Sequence, residues 1–452
     1  MNTTTPSPSP RTANGLSPEQ TLAANRRALV DILSAPTCAE RRLHPRELGL
    51  ELERFVIDRT TGHTVAYADS PGIRALLETW GRFFAPEERV FIDGHLFGYV
   101  GTIDVAGSPV GISISLEPGS QLEASVGPST SAAKLMGALE AFDTQFAEVT
   151  REMGVDWELV AQGNNPHEDD PAKVPLIDKE RYRLMDAYLS QTGRYARDMM
   201  RCSASTQVSV DLACGCGLGG RQTYPLAVAL GPILSFLADN TVRWRGLAGD
   251  ACPRMVRSRI WEQMDPDRCG TVPGTFDEGF GPEAYVDWLC GVRPILFTDE
   301  AGETYSTGSA TEADIMSRRL LGEHELAHML SMVFPDSRLK GFVEIRVADS
   351  LPPKLAGALT AFVKGLFYTP DVGNDAVRLL VDDTTEQDVA DAWHELQDKG
   401  WDAQVYGRPV TEVVDELVHL AERGLAGDAD AVLLKALTSL WRERRVPRDV
   451  LS

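Results

Sequence analysis

Acidic side chains recur at alternate positions within four short apolar segments of the sequence. The segments are Glu47–Phe55, Gly111–Ser125, Thr206–Leu212 and Phe342–Val347. The acidic residues on their polar faces are Glu51, Glu53, Glu117, Glu123, Asp211 and Glu344. Alternation with a period of two is typical of a β-strand that buries one face, so the pattern predicts a sheet with an acidic face.

A sheet face in water would also alternate, but such a face normally mixes Lys and Thr with Glu, and these polar faces carry no Lys. Many like charges on one face repel one another unless a cation lies among them. Carboxylates that converge without His or Cys are hard oxygen ligands, which Mg²⁺ and Mn²⁺ prefer. Because proteins hold Mg²⁺ with carboxylates together with substrate phosphates, a nucleotide is the expected companion.

Basic residues near these segments indicate that an anion is bound as well. Arg346 shares a strand face with Glu344 and is suited to a transferring phosphoryl group or a substrate carboxylate. Two further basic clusters are Arg254, Arg257 and Arg259, and Arg338 with Lys340. The sequence has no GxxxxGK[ST] loop, so a nucleotide would be held in another way. The residues predict a magnesium–nucleotide enzyme on an antiparallel sheet that acts on an anionic small molecule.

A second motif offers a different chemistry. His324 and His328 with Glu325 match the pattern HExxH, in which two histidines on one helix face bind zinc and the glutamate acts as base. No HxxGxxH extension follows it, and a five-residue match with three fixed positions also arises by chance. A zinc peptidase is therefore the alternative from another class, and a surface helix is the simpler interpretation.

The acidic segments are set among predicted helices, which together with the strands favour an α+β fold. The helices are predicted at Ser17–Leu33, Ser131–Gly154, Asp178–Met200, Tyr224–Asn240, Thr311–Phe334, Thr384–Lys399, Thr411–Arg423 and Asp428–Arg445. Asp265–Gly281 is predicted to be a long loop because it is rich in Gly, Pro and Asp. We expect a disordered lead at residues 1–16, a catalytic domain at 17–370 and a C-terminal helical extension at 371–452.

Composition excludes several classes of partner. The chain has 452 residues, and 44 Lys+Arg against 66 Asp+Glu give a net charge of −22. Such acidity argues against nucleic-acid binding and against docking on anionic membranes, and no apolar run is long enough to span one. The chain has seven cysteines, an odd number that favours reduced thiols in the cytoplasm. Cys214 and Cys216 are the only close pair and lack further zinc ligands.

Ordered motifs between Arg46 and Tyr368 resemble the plant-type glutamate–cysteine ligase family, which also has bacterial members. The opening strand resembles GxExE, and the later motifs resemble SLEPGGQxE, RY…MM…QVNxD, RSxIW…DxDRxG and HLxxxFPxxRLKxxxExRxAD. The matching residues are Gly49–Glu53, Ser115–Glu123, Arg181-Tyr182, Met199-Met200, Gln207–Asp211, Arg257–Trp261, Asp265, Asp267–Gly270, His328, Phe334–Lys340, Glu344–Arg346 and Asp349. Within this match His328 belongs to a family position and the rest of HExxH is incidental.

The resemblance implies an α+β fold with a curved antiparallel sheet, a catalytic cradle like that of glutamine synthetase, and helices on its outer face. It implies ATP-dependent ligation of the glutamate γ-carboxylate to the amine of cysteine through γ-glutamyl phosphate. It also implies ATP and two or three Mg²⁺ ions, with Mn²⁺ as an alternative, and a homodimer. The product would serve thiol biosynthesis, for glutathione or ergothioneine.

By family position the resemblance also implies the role of each site residue. The implied metal ligands are Glu51, Glu53, Glu117, Glu123, Gln207 and Glu344. The implied substrate ligands are Arg181, Arg257, Ser203 and Ser205, and the implied nucleotide ligands are Arg338, Lys340 and Arg346. Arg346 and Glu53 are the implied catalytic residues. The chain departs from QVNxD at Ser209 and from the usual sequence at Ala204–Thr206, which leaves open a related ligase that joins glutamate to another amine.

Overall fold

The computed structural model describes residues 15–34, 45–92, 94–212 and 220–451. Its main sheet has nine strands in the order β14-β15-β7-β1-β5-β4-β3-β2, with β6 also paired to β1, and these pairs are antiparallel. The strands of the chain are β1 (Leu48–Asp58), β2 (Arg89–Ile92), β3 (His95–Val105), β4 (Ser108–Leu116), β5 (Leu122–Ser129), β6 (Trp157–Val160), β7 (Ser205–Asp211), β8 (Arg243–Trp244), β9 (Leu247–Ala248), β10 (Cys269–Gly270), β11 (Leu296–Thr298), β12 (Thr304–Ser306), β13 (Phe334–Pro335), β14 (Ser337–Leu339), β15 (Phe342–Asp349), β16 (Gln404–Val405) and β17 (Arg408–Pro409).

Helices make up the rest of the regular structure. They are α1 (Pro18–Leu33), α2 (Ile73–Trp80), α3 (Ala132–Met153), α4 (Glu180–Thr192), α5 (Ala196–Cys202), α6 (Gly220–Leu237), α7 (Val256–Glu262), α8 (Pro282–Gly291), α9 (Glu312–Met316), α10 (Glu323–Leu330), α11 (Pro353–Phe367), α12 (Pro370–Leu380), α13 (Glu386–Lys399), α14 (Val410–Gly424) and α15 (Lys435–Arg442). None of the described helices is both long enough and apolar enough to cross a membrane. The mixed α+β class predicted from the sequence is confirmed.

Three predicted helices are interrupted in the structure. Asp178–Met200 is divided into α4 and α5, because the backbone becomes extended at Gly193 after α4, where a Cβ atom would lie 2.9 Å from the sulfur of Met264. Thr311–Phe334 is divided into α9 and α10, and Asp428–Arg445 begins with a 3₁₀ segment at Ala429–Leu434. Residues 1–14 of the predicted lead, and Cys214 and Cys216, lie outside the described residues.

The helices cover one face of the sheet and leave the other face for polar side chains. Helix α3 packs on β3 and β5, α6 packs on β15, and α11 packs on β1 and β7. On β1 the side chains of Leu48, Leu50 and Leu52 are fully buried beneath these helices. Because neighbouring residues of a strand point to opposite faces, Glu51 and Glu53 lie on the polar face, as the alternation predicted.

The C-terminal helices belong to the same hydrophobic core as the sheet. Trp441 is fully buried, and its ring packs edge-on against Phe362 with 5.0 Å between ring centroids. Its indole N–H donates to the carbonyl oxygen of Leu237 at 3.0 Å. One continuous cluster of buried side chains therefore joins β1 to the last helix.

A buried aspartate ties the C-terminal residues to the start of α3. The Asp430 carboxylate accepts the hydroxyl of Ser131 at 3.0 Å and the amides of Ala132 and Ala133 at 2.8 and 2.9 Å. Lys364 donates to the same carboxylate at 2.7 Å. Asp430 therefore caps α3 and also pairs with Lys364, a buried lysine of α11.

We expect Asp430→Ala to lower the free energy of unfolding by about 2 kcal/mol, because two helix amides lose their buried acceptor and Lys364 keeps only its ion pair with the more exposed Asp428. Urea unfolding followed by circular dichroism measures the change. Asp371→Ala removes an exposed first-turn aspartate of α12 and serves as the control. An Asp430→Ala protein as stable as this control would contradict the assigned role.

Candidate active site

The cross-strand register brings the predicted carboxylates together. Glu53 of β1 lies directly opposite Glu123 of β5, and Glu51 lies opposite Gln207 of β7. Glu117 follows the last residue of β4, beside the same strand pair. Opposed positions on antiparallel strands have Cβ atoms about 5 Å apart, and like charges there are destabilising. The sheet therefore collects negative charge that its own pairing does not neutralise.

A cavity of about 380 Å³ opens on this polar face, and it is called the acidic cavity after the four glutamates in its lining. The predicted site residues that line it are Glu51, Glu53, Glu117, Glu123, Arg181, Ser203, Gln207, Arg257, Arg338, Lys340 and Arg346. Ser205 and Glu344 are fully buried and lie outside this lining. The structure thus brings the predicted residues to one place, while the role of each remains a prediction.

Three carboxylates in the cavity are close enough to share a cation. Glu53, Glu117 and Glu123 each offer an oxygen atom within 4.8 Å of the others. Burial, and then the charge of Glu123, raise the pKa of Glu53 and raise that of Glu117 well above its ordinary value. Burial, followed by Glu123 and Glu344, raises the pKa of Glu51 to about 8. A divalent cation would relieve this repulsion, and the donor set consists of hard oxygens.

Glu344 forms the centre of a basic cluster beside the cavity. Its carboxylate pairs at 2.7 Å with each of Arg338, Lys340 and Arg346. Burial alone would raise the pKa of Glu344, but the charges of Arg338, Arg346 and Lys340 hold it well below its usual range. One carboxylate facing three cations leaves a net positive charge next to the acidic residues, which suits a phosphate or carboxylate ligand.

A chain of hydrogen bonds links the basic cluster to the carboxylates. Arg346 donates from Nη1 to Gln207 Oε1 at 2.6 Å, and Gln207 Nε2 donates to Glu53 Oε1 at 3.0 Å. The backbone amide of Ser205 donates to the other Glu53 oxygen at 2.8 Å. The hydroxyl of Ser203 is also engaged locally, since it donates to the carbonyl oxygen of Met199 at 2.6 Å. These contacts fix the orientation of Arg346 and Glu53 before any ligand binds.

Two further arginines reach the cavity from helices. Arg181 of α4 lies near Glu117, and Arg257 of α7 is only 5% exposed. Among the described residues, Arg257 Nε and the indole nitrogen of Trp261 have no hydrogen-bond partner. Burial lowers the pKa of each of these two arginines below the ordinary value for arginine. A buried guanidinium with free donors is suited to a ligand carboxylate.

A tight turn holds Glu117 at the cavity. The Ser120 amide donates to the Glu117 carbonyl oxygen at 2.9 Å. Gly119 must lack a side chain, since a Cβ atom there would lie 2.5 Å from the carbonyl oxygen of Arg201. Ser120 has a φ of 71°, the left-handed region that favours glycine, and its hydroxyl accepts the amide of Tyr67 at 3.0 Å. The motif SLEPGGQxE has glycine at this position.

One acidic residue of the predicted set lies elsewhere. Asp211 is on the same strand as Gln207, but it accepts the amide of Glu47 at 2.8 Å and lines a neighbouring cavity. The expectation that all six acidic residues converge was wrong for Asp211, because it lies at the far end of β7. Trp261 and Phe334 line the acidic cavity without having been assigned a role, although both stand in the quoted motifs.

Two other cavities adjoin the acidic cavity. The strand cavity, of about 520 Å³, is lined by residues of β1, β3, β4, β5 and β7, and it shares Glu51 and Ser125 with the acidic cavity. The helix cavity, of about 290 Å³, is lined in part by α7 and α13, and it shares Arg257 and Arg346 with the acidic cavity. The acidic cavity therefore has one neighbour at its carboxylates and another at its arginines.

The zinc interpretation is wrong. His324 is exposed, whereas His328 is buried with Nε2 3.3 Å from the carbonyl oxygen of Leu296. Glu325, the base of that motif, is buried in an ion pair with Arg319, with one contact of 2.8 Å. No group of metal-ligating side chains in the described ranges includes either histidine.

We expect His324→Ala to leave both the stability and the catalytic rate unchanged, because this side chain lies on the surface outside the acidic cavity. The measurements are thermal unfolding, steady-state kinetics and zinc content after dialysis. Zinc retained at one ion per chain, or a peptidase activity that this single change removes, would restore the peptidase interpretation.

The fold and the site define a class of protein. In this class the polar face of an antiparallel sheet carries clustered carboxylates beside buried arginines, an arrangement suited to binding divalent cations and anionic substrates. The chain matches the model of the glutamate-cysteine ligase family 2 (GCS2) over residues 47–443 and belongs to that family. The match extends beyond the motifs that end at Tyr368 and includes most of the C-terminal helices.

Two of the similar proteins are named as glutamate–cysteine ligases of plants. The chain is 29% identical over 351 residues to a chloroplastic glutamate–cysteine ligase of Brassica juncea, covering 75% of this chain and 66% of the relative. It is 28% identical over 347 residues to the chloroplastic glutamate–cysteine ligase of Arabidopsis thaliana, covering 75% of this chain and 65% of the relative. The chain thus spans just under two thirds of the length of these relatives.

Proposed function

We propose that the chain ligates the γ-carboxylate of L-glutamate to the amine of L-cysteine with ATP, giving γ-glutamylcysteine, ADP and phosphate. The observation that carries this proposal is that one cavity holds both the Glu53–Glu117–Glu123 cluster and the arginines and lysine of the basic cluster, in a chain of this family. The carboxylates suit metal-bound phosphates, and the arginines suit the carboxylate and phosphoryl groups that react.

We propose that two or three Mg²⁺ ions bind in this cavity, with Mn²⁺ as an alternative. We propose as ligands Glu51, Glu53, Glu117, Glu123, Gln207 and Glu344. The repulsion that raises the pKa of three of these carboxylates supports a cation among them. When bound, such ions would neutralise the triphosphate and the charge that develops during transfer. Glu344 would have to exchange part of its ion pairing with Arg338 and Lys340 to reach an ion.

We propose that the sheet acts as a cradle like that of glutamine synthetase, with ATP lying across it. The strand cavity has the mainly apolar lining that an adenine base requires, and it meets the acidic cavity at Glu51. Arg338, Lys340 and Arg346 would contact the phosphates. Arg181 and Arg257, with Ser203 and Ser205, would hold glutamate so that its γ-carboxylate lies beside Arg346.

The two chemical steps are a phosphoryl transfer and an aminolysis. A γ-carboxylate oxygen of glutamate attacks the γ-phosphorus of ATP, and the bond from that phosphorus to the bridging oxygen of ADP breaks. The Arg346 guanidinium donates its hydrogen bonds to the described residues from Nη1, so its other N–H groups are available to the transferred phosphoryl oxygens. Glu53 holds Gln207 and thereby Arg346 in place. The amine of cysteine then displaces phosphate.

The organisation of the chain forms part of the proposal. Residues 17–370 would carry catalysis, and 371–452 would be a helical extension. The described cysteines Cys202, Cys252, Cys269 and Cys290 are free thiols, which supports a cytoplasmic location. We also propose a homodimer, which light scattering tests. The product would enter the synthesis of a larger thiol such as glutathione.

The proposal is tested by incubating the protein with ATP, Mg²⁺ and glutamate, with and without cysteine, and measuring phosphate and product mass. We expect phosphate release and γ-glutamylcysteine only when all four are present. A panel of other amines in place of cysteine tests the related ligase that Ser209 leaves open. Faster product formation with another amine would change the acceptor, whereas no glutamate-dependent product with any amine would overturn the proposed function.

A further inference from the structure

The helix cavity lies between the catalytic sheet and the C-terminal helices. Its lining includes Asp336 from the β13–β14 junction, Ala390 and Trp393 from α13, and Met264 after α7. Apolar side chains supply most of its wall, and at about 290 Å³ it has room for a small amino acid. It lies at the arginine end of the acidic cavity, away from the strand cavity.

Four residues form a wall common to the helix cavity and the acidic cavity. They are Arg257, Trp261, Phe334 and Arg346. Arg257 is only 5% exposed, and its Nε has no hydrogen-bond partner among the described residues. An unpartnered buried donor at this boundary points to a ligand on one side or the other. A group in the helix cavity would therefore approach the reacting centre at Arg346.

Helix α13 is fixed against the arginine-bearing helix α7. Gln397 Nε2 donates to Glu262 Oε1 at 2.6 Å and to the hydroxyl of Ser258 at 3.3 Å. Arg259 donates in return to the Gln397 carbonyl oxygen at 2.8 Å. Because these contacts are partly buried, the wall that α13 gives the helix cavity is preformed. The C-terminal residues thus have a built contact with the site.

We propose that the helix cavity binds the acceptor amino acid, with Asp336 taking a proton from its ammonium group and α13 limiting the size of its side chain. This inference rests on the proposed ligase function. The metal–phosphate groups and glutamate require the acidic cavity, and the strand cavity adjoins the carboxylates. The amine must reach the γ-carbonyl carbon from a third side, and the helix cavity opens beside Arg346 on that side.

Asp336 has the surroundings that a base for an amine needs. Burial, with a smaller contribution from Glu262, raises the pKa of Asp336 to about 6, while Arg257 and Arg346 act in the opposite direction. Its backbone carbonyl oxygen accepts the amide of Arg346 at 3.1 Å, so it lies next to the reacting end of the cavity. A carboxylate with a pKa raised toward neutrality is a better proton acceptor than an exposed one.

The aminolysis step forms one C–N bond and breaks one C–O bond. The acceptor ammonium gives one proton to Asp336, and the freed nitrogen lone pair forms the C–N bond at the γ-carbonyl carbon of γ-glutamyl phosphate. The C–O bond to phosphate breaks, and the second nitrogen proton goes to the departing phosphate. Asp336 then returns its proton to solvent. No oxidant or further reactant is needed.

Hydroxylamine separates this inference from the proposed function. It traps γ-glutamyl phosphate as the hydroxamate, it is largely unprotonated at neutral pH, and it is too small to require a side-chain pocket. With ATP, Mg²⁺ and glutamate, the unmodified protein is expected to form γ-glutamyl hydroxamate. If it forms none and makes no γ-glutamylcysteine, the proposed function fails and the inference falls with it.

Ala390→Trp fills the helix cavity from α13. We expect the KM for cysteine to rise at least about tenfold, while the hydroxamate rate and the KM for glutamate stay within about threefold. Asp391→Trp places the same bulk at an exposed position of the helix and should leave all three unchanged. An unchanged KM for cysteine in a folded Ala390→Trp protein, or an equal loss of both reactions, overturns the proposal.

Asp336→Asn keeps the shape of the cavity and removes the base, so it decides the matter even if Ala390→Trp does not fold. We expect kcat with cysteine to fall about 10²-fold, with hydroxamate formation largely retained. Asp336→Glu should restore part of the cysteine rate. A purely structural aspartate would lower both reactions together, and that result excludes Asp336 as the base.

Discussion

Glu117→Gln is expected to lower the rate of γ-glutamylcysteine formation about 10³-fold while the protein stays folded. Glu117 shares the acidic cavity with Glu53 and Glu123 and contributes no volume to the helix-covered core. The amide keeps the shape of the side chain but lacks the negative charge that a divalent cation requires. The variant is therefore expected to lose activity because it lacks a metal ligand, and not because it unfolds.

The stability of the same variant should move in the opposite direction. In the cation-free protein, burial and the charges of Glu123 and Glu53 raise the pKa of Glu117, so its ionised form opposes folding as the pH rises above the unfolded value. Glutamine removes this opposition, and we expect the Tm without Mg²⁺ to be equal or higher. Added Mg²⁺ should stabilise the unmodified protein more than the variant.

Calorimetric unfolding with and without Mg²⁺, together with steady-state kinetics, measures both effects. Glu140→Gln changes an exposed glutamate of α3 and is the matched control for charge and size. If Glu117→Gln turns over like this control, the assignment of the carboxylate cluster to catalysis is wrong.

Arg346→Lys is expected to reduce kcat about 10²-fold although the positive charge is retained. The guanidinium bonds to Gln207 and Glu344 through one nitrogen and keeps further donors for the phosphoryl group. A lysine ammonium cannot hold this fork geometry and would leave the Gln207 carbonyl without its partner. We expect a larger effect on kcat than on the KM for ATP, because the contact strengthens as charge develops.

Single-turnover phosphate release compares Arg346→Lys with Arg74→Lys, which alters an exposed arginine of α2. A second variant, Arg346→Met, removes the charge and should be slower still. Equal rates for Arg346→Lys and the unmodified protein would show that charge alone suffices, and would exclude the oriented contact that the hydrogen bonds indicate.

Local pattern predicted the polar face of the sheet because a strand repeats every two residues. Alternation alone placed Glu51 and Glu53 on one face, and the structure has them there. The same pattern gave the face of Glu344 but could not foresee its three ion pairs, since these depend on the β14–β15 pairing and on the turn that carries Lys340. It also placed Asp211 with the others, because alternation gives the face of a residue and not its distance along the strand.

The helices show the same division between local and tertiary information. The boundaries of α3 followed from Ser131 and Gly154, which cap it through their own backbone and side chain. By contrast, Gly193, which follows α4, lies close against Met264, far along the chain, a contact that local pattern does not show. The wall that α13 contributes to the helix cavity is likewise tertiary, which is why the C-terminal helices could be recognised in the sequence but not given a role.

The cap that Asp430 provides to α3 has a consequence for synthesis of the protein. Ser131 and Asp430 are 299 residues apart, so the ribosome releases the start of α3 long before its partner exists. Until then the amides of Ala132 and Ala133 lack this acceptor, and the Ser131 hydroxyl caps the helix through Lys134 alone. The last helices of the chain therefore complete an element made near its beginning, and a nascent chain that stops before residue 430 leaves that element unfinished.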